Sequence, residues 1–239
     1  MKRAPDAVLI TGSSRRLGFA FVKKSLAMGL SVVAHYHTGT HALGSWLRKN
    51  PRARQRVHLL RADLSADPGE LIDRAATLPV RLAGLVNNAS IFTRGDLTSA
   101  RHFADTMATN LHAPLALARE FHRVAGTGWI INVTDAHVRP AHGPYQNYRL
   151  SKLWLSELTG HLAFVLAPKV RVNGIAPGPV LPPPGRSAAY LRSLARKTPL
   201  GRPVPVGCVM NAYAFLVENG SVTGQIIYAD SGWHLGNQP

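Results

Sequence analysis

Short β-branched runs alternate with longer amphipathic stretches from the start of the chain almost to its end. Ala7-Val8-Leu9-Ile10-Thr11 has the continuous apolar character of a strand buried on both faces, and Leu17 to Met28 carries apolar residues at helical spacing. The same pair recurs as the strand Ser31–His35 with the helix His41–Asn50. The strand Val57–Leu60 and the stretch after Pro68 repeat it, and Gly84–Asn87 is followed by a long helix predicted from about Thr98 to Val124. Trp129–Val133 predicts a fifth strand, with a helix from about Tyr145 to Leu166 behind it. Val170–Ile175 is next, then helices near Ala188–Lys197 and Pro205–Val217, and a last strand, Gln225–Ala229.

Continuous apolar strands that alternate with helices predict a parallel sheet covered on both sides. Right-handed crossovers then give a Rossmann-type, doubly wound α/β fold in three layers, with ligands outside the carboxyl ends of the strands. At 239 residues the expectation is one domain spanning residues 1–239, with no repeat or linker. Its cofactor half is about 1–125, and its catalytic and substrate half about 126–239. The Pro-rich segment from Pro177 to Gly185 leaves a strand on the ligand edge, so about 179–200 reads as a lid or as a stiff connector.

Composition narrows the classes. The chain is 46% hydrophobic, and no apolar run approaches the roughly 20 residues of a membrane span. Met1-Lys2-Arg3-Ala4-Pro5 is basic, but the apolar run behind it is too short for a signal peptide. A single cysteine, Cys208, supports neither a disulfide framework nor a zinc cluster; no metal is expected, and the reading is cytoplasmic. The net charge of +16 asks for an anionic partner, either nucleic acid or a phosphorylated cofactor. The cations are scattered rather than gathered in a block, which argues against nucleic acid.

The candidate chemistry lies at both ends of the predicted crevice. Thr11-Gly12-Ser13-Ser14-Arg15-Arg16-Leu17-Gly18 turns a strand into a helix through glycines, as a pyrophosphate site requires, although a tight turn alone would explain it. The second strand ends in His35-Tyr36-His37-Thr38 with no carboxylate to hold ribose hydroxyls. Hydroxyls, imidazoles and Arg15 would suit the 2′-phosphate of NADPH. Asp63 could accept from an adenine amino group or cap a helix before Ser65. Tyr148 and Lys152 lie four apart, one turn of helix, where an ammonium would lower the phenol pKa. Asp135 follows the 129–133 strand, ahead of the loop that carries Pro140, and is either a site carboxylate or a turn former.

Together the strand-borne TGxxxxxG, Asn87-Asn88-Ala89-Ser90, Asn110 and Tyr148/Lys152 resemble the short-chain dehydrogenase/reductase family. The likeness runs through Arg171-Val172-Asn173-Gly174-Ile175-Ala176-Pro177-Gly178 to the closing Asp230-Ser231-Gly232-Trp233. The resemblance implies Tyr148 as general acid, Lys152 as ribose anchor and pKa modulator, and Asn110 as holder of a proton-relay water. It implies a cofactor lined also by Leu17, Leu64, Asn88, Ala89, Ser90, Pro177 and Gly178. It further implies a dimer or tetramer through the helices 98–124 and 145–166.

Three departures point to one branch. Arg16 stands where most members have a glycine, Ser90 ends an NNAG-like motif, and Asp135 replaces the serine that polarises a carbonyl. All three resemble the pteridine reductase branch, which includes dihydromonapterin reductases; His35-Tyr36-His37 and the run Asn87 to Phe92 are similar to its protozoal members. A pterin reductase using NADPH is therefore expected, acting on a dihydropterin, with oxidised pterins and folates open as further substrates, and with Phe92 and Tyr145 lining the pterin site. Arg16 and Ser90 would touch the ring edge, and Asp135 would work with Tyr148. A carboxylate at 135 would repel a developing alkoxide, which counts against a carbonyl reductase or alcohol dehydrogenase. The third reading, a non-enzymatic NADPH-binding protein, leaves the intact Asn110, Asp135, Tyr148 and Lys152 set without a purpose.

Overall fold

A computed structural model describes residues 4–95, 97–138, 143–183 and 185–236. The basic first three residues, Pro140 and Pro184 of the Pro-rich segment lie outside them. Seven parallel strands run in the order β3-β2-β1-β4-β5-β6-β7: β1 Asp6–Ile10, β2 Ser31–Tyr36, β3 Val57–Arg61, β4 Arg81–Asn87, β5 Gly128–Val133, β6 Val170–Pro177 and β7 Ile226–Ala229. The chain steps from β3 back across β1 to β4, so the strand order reverses beside β1. A crevice opens there at the carboxyl ends.

Both faces of the sheet are covered, as the unbroken apolar strands require. Alternate side chains of one strand enter opposite cores. Val8 and Ile10 pack with Val32, Ile131 and Phe21, on the side of helices α1 (Arg16–Ala27) and α9 (Val206–Glu218). Ala7 and Leu9 pack with Leu85, Ile130 and Phe121 on the other side. That second core includes α4 (Pro68–Ala76), α6 (Ala113–Ala125) and α7 (Gln146–Val165). Asp67 caps α4 by accepting from the amides of Gly69 and Glu70, with Pro68 at its first position.

Two departures from the periodicity bear on the site. The expected single helix from 98 to 124 is divided: α5 (Ala100–Met107) and α6 are joined by a π turn, Ala108–His112, which inserts Asn110 into the interior. A short helix α3 (Pro51–Arg54) also follows α2 (His41–Lys49), started by Pro51. Beyond β6 the Pro-rich segment leads to α8 (Ala188–Ala195), capped by the Ser187 hydroxyl accepting from the Tyr190 amide.

Candidate active site

A cavity of about 980 Å³ lies along the carboxyl edge of the sheet, reaching from the β1–α1 turn and the end of β2 to the β5–α7 region and α8. It brings together Gly12, Arg15, Arg16, Leu17, Gly18, His35 to Thr38, Asp63, Leu64, Asn88, Ala89, Ser90, Phe92, Asp135, Tyr145, Tyr148, Lys152, Pro177 and Gly178. Of the sequence-predicted site residues only Asn110 stands behind the wall, fully buried.

The β1–α1 turn is shaped by close approach. Gly12 has φ +62°, and a Cβ there would meet Ala89 at 2.9 Å; one on Gly18 would meet the Gly12 carbonyl oxygen at 2.0 Å. Thr11 locks the turn to the end of β4: its hydroxyl accepts from the Asn88 and Ala89 amides, and the Asn88 side-chain amide donates to the carbonyls of Thr11 and Gly12. The first turn of α1 holds no acid, and Arg15 makes no side-chain cap, so its amino end faces the cavity uncapped by the chain's own side chains. A cradle that a single Cβ would fill, before an uncapped helix, fits a pyrophosphate.

The His35 side chain has a different place from the one the sequence suggested. It is buried; its Nδ1 accepts from the Gly12 N–H at 3.1 Å, so Nε2 carries the proton and donates to the Ala62 carbonyl at 3.2 Å. Both nitrogens are consumed in bracing the turn. Burial holds the imidazole below its ordinary pKa, the neutral form the two bonds demand. His35 is therefore corrected from a phosphate-binding group to a brace, which leaves His37, Thr38 and Arg15 at the cavity surface. Asp63 accepts from the amide and hydroxyl of Ser65, an Asx turn rather than a helix cap, and lies 3.7 Å from His37 Nε2. Those bonds to Ser65 keep its carboxyl below the usual range.

At the other end, α7 starts at Gln146 and presents Tyr148 and Lys152 one turn apart. The Tyr148 hydroxyl donates to Asp135 Oδ2 at 2.7 Å, and Oδ1 accepts from the His137 amide at 2.7 Å. Lys152 Nζ donates to the Val133 carbonyl at 2.7 Å and lies 6.0 Å from the Tyr148 ring centre. Burial governs all three groups. It raises the Asp135 carboxyl, against the pull of its hydrogen bonds, and lowers the Lys152 ammonium to about 8. Burial also raises the Tyr148 phenol well above its ordinary value, with the neighbouring carboxylate adding to it. The expectation of a lysine-lowered phenol is thus reversed, because Asp135 rather than Lys152 is the phenol's direct partner.

The Asn110 side chain is bonded within the protein: its oxygen accepts from the Ile91 amide, and its nitrogen donates to the Ile91 carbonyl and to Ser151 Oγ. It pins the Ser90–Phe92 loop to α7. Phe92 stacks on Tyr145 with ring centres 4.5 Å apart, nearly parallel, and stands almost perpendicular to the Tyr148 ring with centres 4.7 Å apart. One face of Phe92 is therefore already covered. Ser90 keeps only a long contact to its neighbour's carbonyl. Arg16, at φ +55°, reaches across the mouth and donates to the Pro182 carbonyl at 2.9 Å, tying the turn to the Pro-rich segment.

Several cavity residues were not singled out by sequence reasoning: His137 and Trp233, stacked at 4.2 Å, and Tyr190, Leu191 and Leu194 of α8. Trp233 belongs to the closing Asp230-Ser231-Gly232-Trp233 that carries the resemblance, which was the available signal for a site role; the α8 residues offered none. Among the described residues no group of His, Cys, Asp and Glu could hold a metal, and no helix is long and apolar enough to cross a membrane.

Residues 12–234 match the family model described as enoyl-(acyl carrier protein) reductase. Dihydromonapterin reductase of Shigella sonnei is 27% identical, with 98% of this chain and 99% of that protein covered. The putative ketoacyl reductase 2 of the granaticin polyketide synthase of Streptomyces violaceoruber is 31% identical, covering 97% and 98%. The structure is similar to FolM alternative dihydrofolate reductase 1 from Brucella suis, solved in complex with NADP (TM-score 0.89, 30% identity, 98% of this chain and 96% of that one). With the cradle, the β-strand order and the Tyr148/Lys152 pair already in place, these matches establish that the chain belongs to the short-chain dehydrogenase/reductase family of oxidoreductases.

Proposed function

We propose that the protein reduces a pterin, taking a dihydropterin to its tetrahydro form, with NADPH as hydride donor. The observation that carries this reading is the Asp135 carboxyl held 2.7 Å from the Tyr148 hydroxyl. A carboxylate there would oppose the negative charge that grows on a reduced carbonyl oxygen. It suits a ring bearing amino and N–H donors, which need an acceptor, and a ring nitrogen, which needs a proton. The names of the dihydromonapterin reductase and dihydrofolate reductase relatives support the same substrate class.

NADPH, when bound, supplies the hydride; the chain's residues bind, orient and protonate. The β1–α1 turn takes the pyrophosphate on its amides, and Arg15, His37 and Thr38 face the 2′-phosphate. Lys152 holds the ribose, and Leu64, Pro177 and Gly178 wall the remainder. Gly178 is required there because a Cβ would meet Asp230 backbone at 2.6 Å. Phe92, with Tyr145 behind it, offers its remaining face to the substrate ring, and Ser90 and Arg16 meet the ring edge. Tyr148 donates its proton to the ring nitrogen beside the carbon that receives hydride. Asp135, its carboxyl raised by burial, returns a proton to the phenol or accepts from the ring's amino edge.

The second reading is a carbonyl reductase, favoured by the ketoacyl reductase relative and by Tyr148 and Lys152 sharing a helix face. NADPH oxidation with dihydromonapterin, dihydrobiopterin, dihydrofolate and a panel of small ketones separates the two. Turnover of a pterin supports the proposal, and ketone turnover without pterin turnover overturns it. Assembly through α5, α6 and α7 belongs to the same proposal, supported by the exposed Trp154 on α7. A monomer in light scattering would remove that part.

A further inference from the structure

We infer that His102 is a positioning residue: its imidazole joins Thr93 of the β4–α5 loop to Asn147 of α7 and so holds Phe92 against Tyr145. Its place follows from the chain. Ser99 caps α5 by accepting from the His102 amide, which sets that side chain on the first turn, beside the loop that leads into the helix. The ring Nδ1 accepts from the Asn147 side-chain amide at 3.0 Å, so Nε2 carries the proton and donates to Thr93 Oγ1 at 2.5 Å. The loop backbone passes so near that a Cβ on Gly95 would meet Nδ1 at 1.8 Å. The other polar atom of the Asn147 amide, Oδ1, is buried without a hydrogen-bond partner, and a half-turn of the amide would present it to a ring protonated on Nδ1. The tie therefore survives a change in the charge of the ring.

The loop needs such a tie because the core does not supply one. Phe92 is 40% exposed, and Thr93 and Arg94 are exposed with it. Asn110 holds the loop at Ile91, and at the far end the Gly95 backbone bonds to the Pro144 carbonyl and the Gln146 amide. His102 fastens the span between. Thr93 directly follows Phe92, and Asn147 stands between Tyr145 and Tyr148, so one ring links both halves of the aromatic stack to the proton donor. A flat substrate laid on Phe92 then meets a platform ordered before it arrives, which spares the cost of ordering it on binding. Without the tie, Phe92 is free to turn off Tyr145 and lose its offset stacking.

The use of this platform for a ring substrate rests on the pterin reading above; the clamp itself does not, and the test separates the two. Amide hydrogen exchange of residues 91–95 is compared in NADP+-saturated wild type, His102→Ala, His102→Gln and Thr93→Val, alongside kinetics with dihydromonapterin. Expected in His102→Ala are about tenfold faster exchange and about a tenfold higher KM, with kcat within about threefold and the Kd for NADPH within about twofold. Thr93 is exposed, so Thr93→Val leaves the core alone; it should act nearly as strongly, and the double variant should do no more than either single one. Glutamine, whose amide nitrogen reaches where Nε2 stands, should recover most of the loss. Fully additive losses, a glutamine variant as poor as alanine, or exchange unchanged in both single variants would each overturn the inference. Faster exchange in the variants of a protein that turns over no pterin would uphold the clamp and sink the substrate reading instead.

Discussion

At the β1–α1 end of the cavity, Thr11, His35 and Asn88 spend their side chains on backbone groups; at the β5–α7 end, burial moves the proton affinities of Asp135, Tyr148 and Lys152. Thr11, His35 and Asn88 place their hydrogen bonds on backbone groups of the glycine turn and its neighbours. Asn110 does the same for the Ser90–Phe92 loop. Asp135, Tyr148 and Lys152 instead bring three titratable groups together, two of them joined by a hydrogen bond, each displaced from its ordinary pKa chiefly by desolvation. A cofactor that is gripped by backbone needs rigidity, and a proton relay needs groups whose proton affinities burial has moved. Mutations at the two ends should therefore fail differently: the first in stability and cofactor affinity, the second in turnover with the fold intact.

The sharpest test of that division is Tyr148→Phe. The ring contact with Phe92 survives and only the proton donor goes, so turnover should fall on the order of a thousandfold. NADPH affinity, measured by fluorescence titration, should stay within a factor of two or so. A loss of cofactor binding as large as the loss of turnover would break the comparison.

Asp135→Asn should lower turnover by about a hundredfold and, unlike most substitutions at a structural site, raise thermal stability at neutral pH. The sign follows from linkage. Burial raises the carboxyl pKa in the folded protein above its unfolded value of 3.8. Across that window the unfolded chain has lost a proton that the folded one keeps, so stability falls as pH rises. An amide cannot ionise and escapes this cost. Melting curves of the two proteins should therefore diverge at pH 7 and converge near pH 4; a less stable variant at pH 7 would contradict the proton affinity assigned to Asp135.

The two ends also differ in how much the sequence disclosed. The sheet, its parallel sense and the position of the crevice followed from apolar runs that alternate with helical spacing, because burial on both faces makes the strands predominantly apolar. The presence of Tyr148, Lys152 and Asp135 was equally plain, since helical spacing and the end of β5 place them. What sequence could not supply was direction. His35 was read as a group for the 2′-phosphate, yet both its nitrogens bond backbone groups of the protein; a polar residue looks the same in sequence whichever partner its side chain takes. The reversal of the Tyr148 pKa has the same origin, for a four-residue spacing locates Lys152 but not the carboxylate that lies nearer. The α8 helix was expected near Ala188–Lys197, but nothing in its spacing showed that Tyr190, Leu191 and Leu194 line the cavity.

His35→Leu tests the bracing end. It leaves the Gly12 N–H and the Ala62 carbonyl without partners and should cost about 2–3 kcal/mol of stability. Wild-type stability should also fall as pH drops below 6.5, because the unfolded imidazole takes up a proton that the folded one, held neutral, resists. The leucine variant should lack that part of the acid dependence. Urea midpoints between pH 5.5 and 7.5 decide it, and an equal slope in both proteins would mean that His35 is not the group responsible.

Lys152 belongs to both ends, reaching from α7 toward the proposed ribose site, and it should give the smallest effect. Its pKa is lowered to about 8 by burial, so the ammonium is present below that pH and lost as pH rises through it. If the charge serves cofactor binding, kcat/KM for NADPH should halve near pH 8 and keep falling above it. The limb in kcat should stand at higher pH, because the bound anion favours the charged form and NADPH binding then takes up a proton. Lys152→Arg keeps a cation at every accessible pH and should flatten the limb even where its geometry lowers the plateau. A wild-type profile level from pH 7 to 9, or a limb that persists in the arginine variant, would assign the alkaline loss elsewhere and place Lys152 with the structural braces instead.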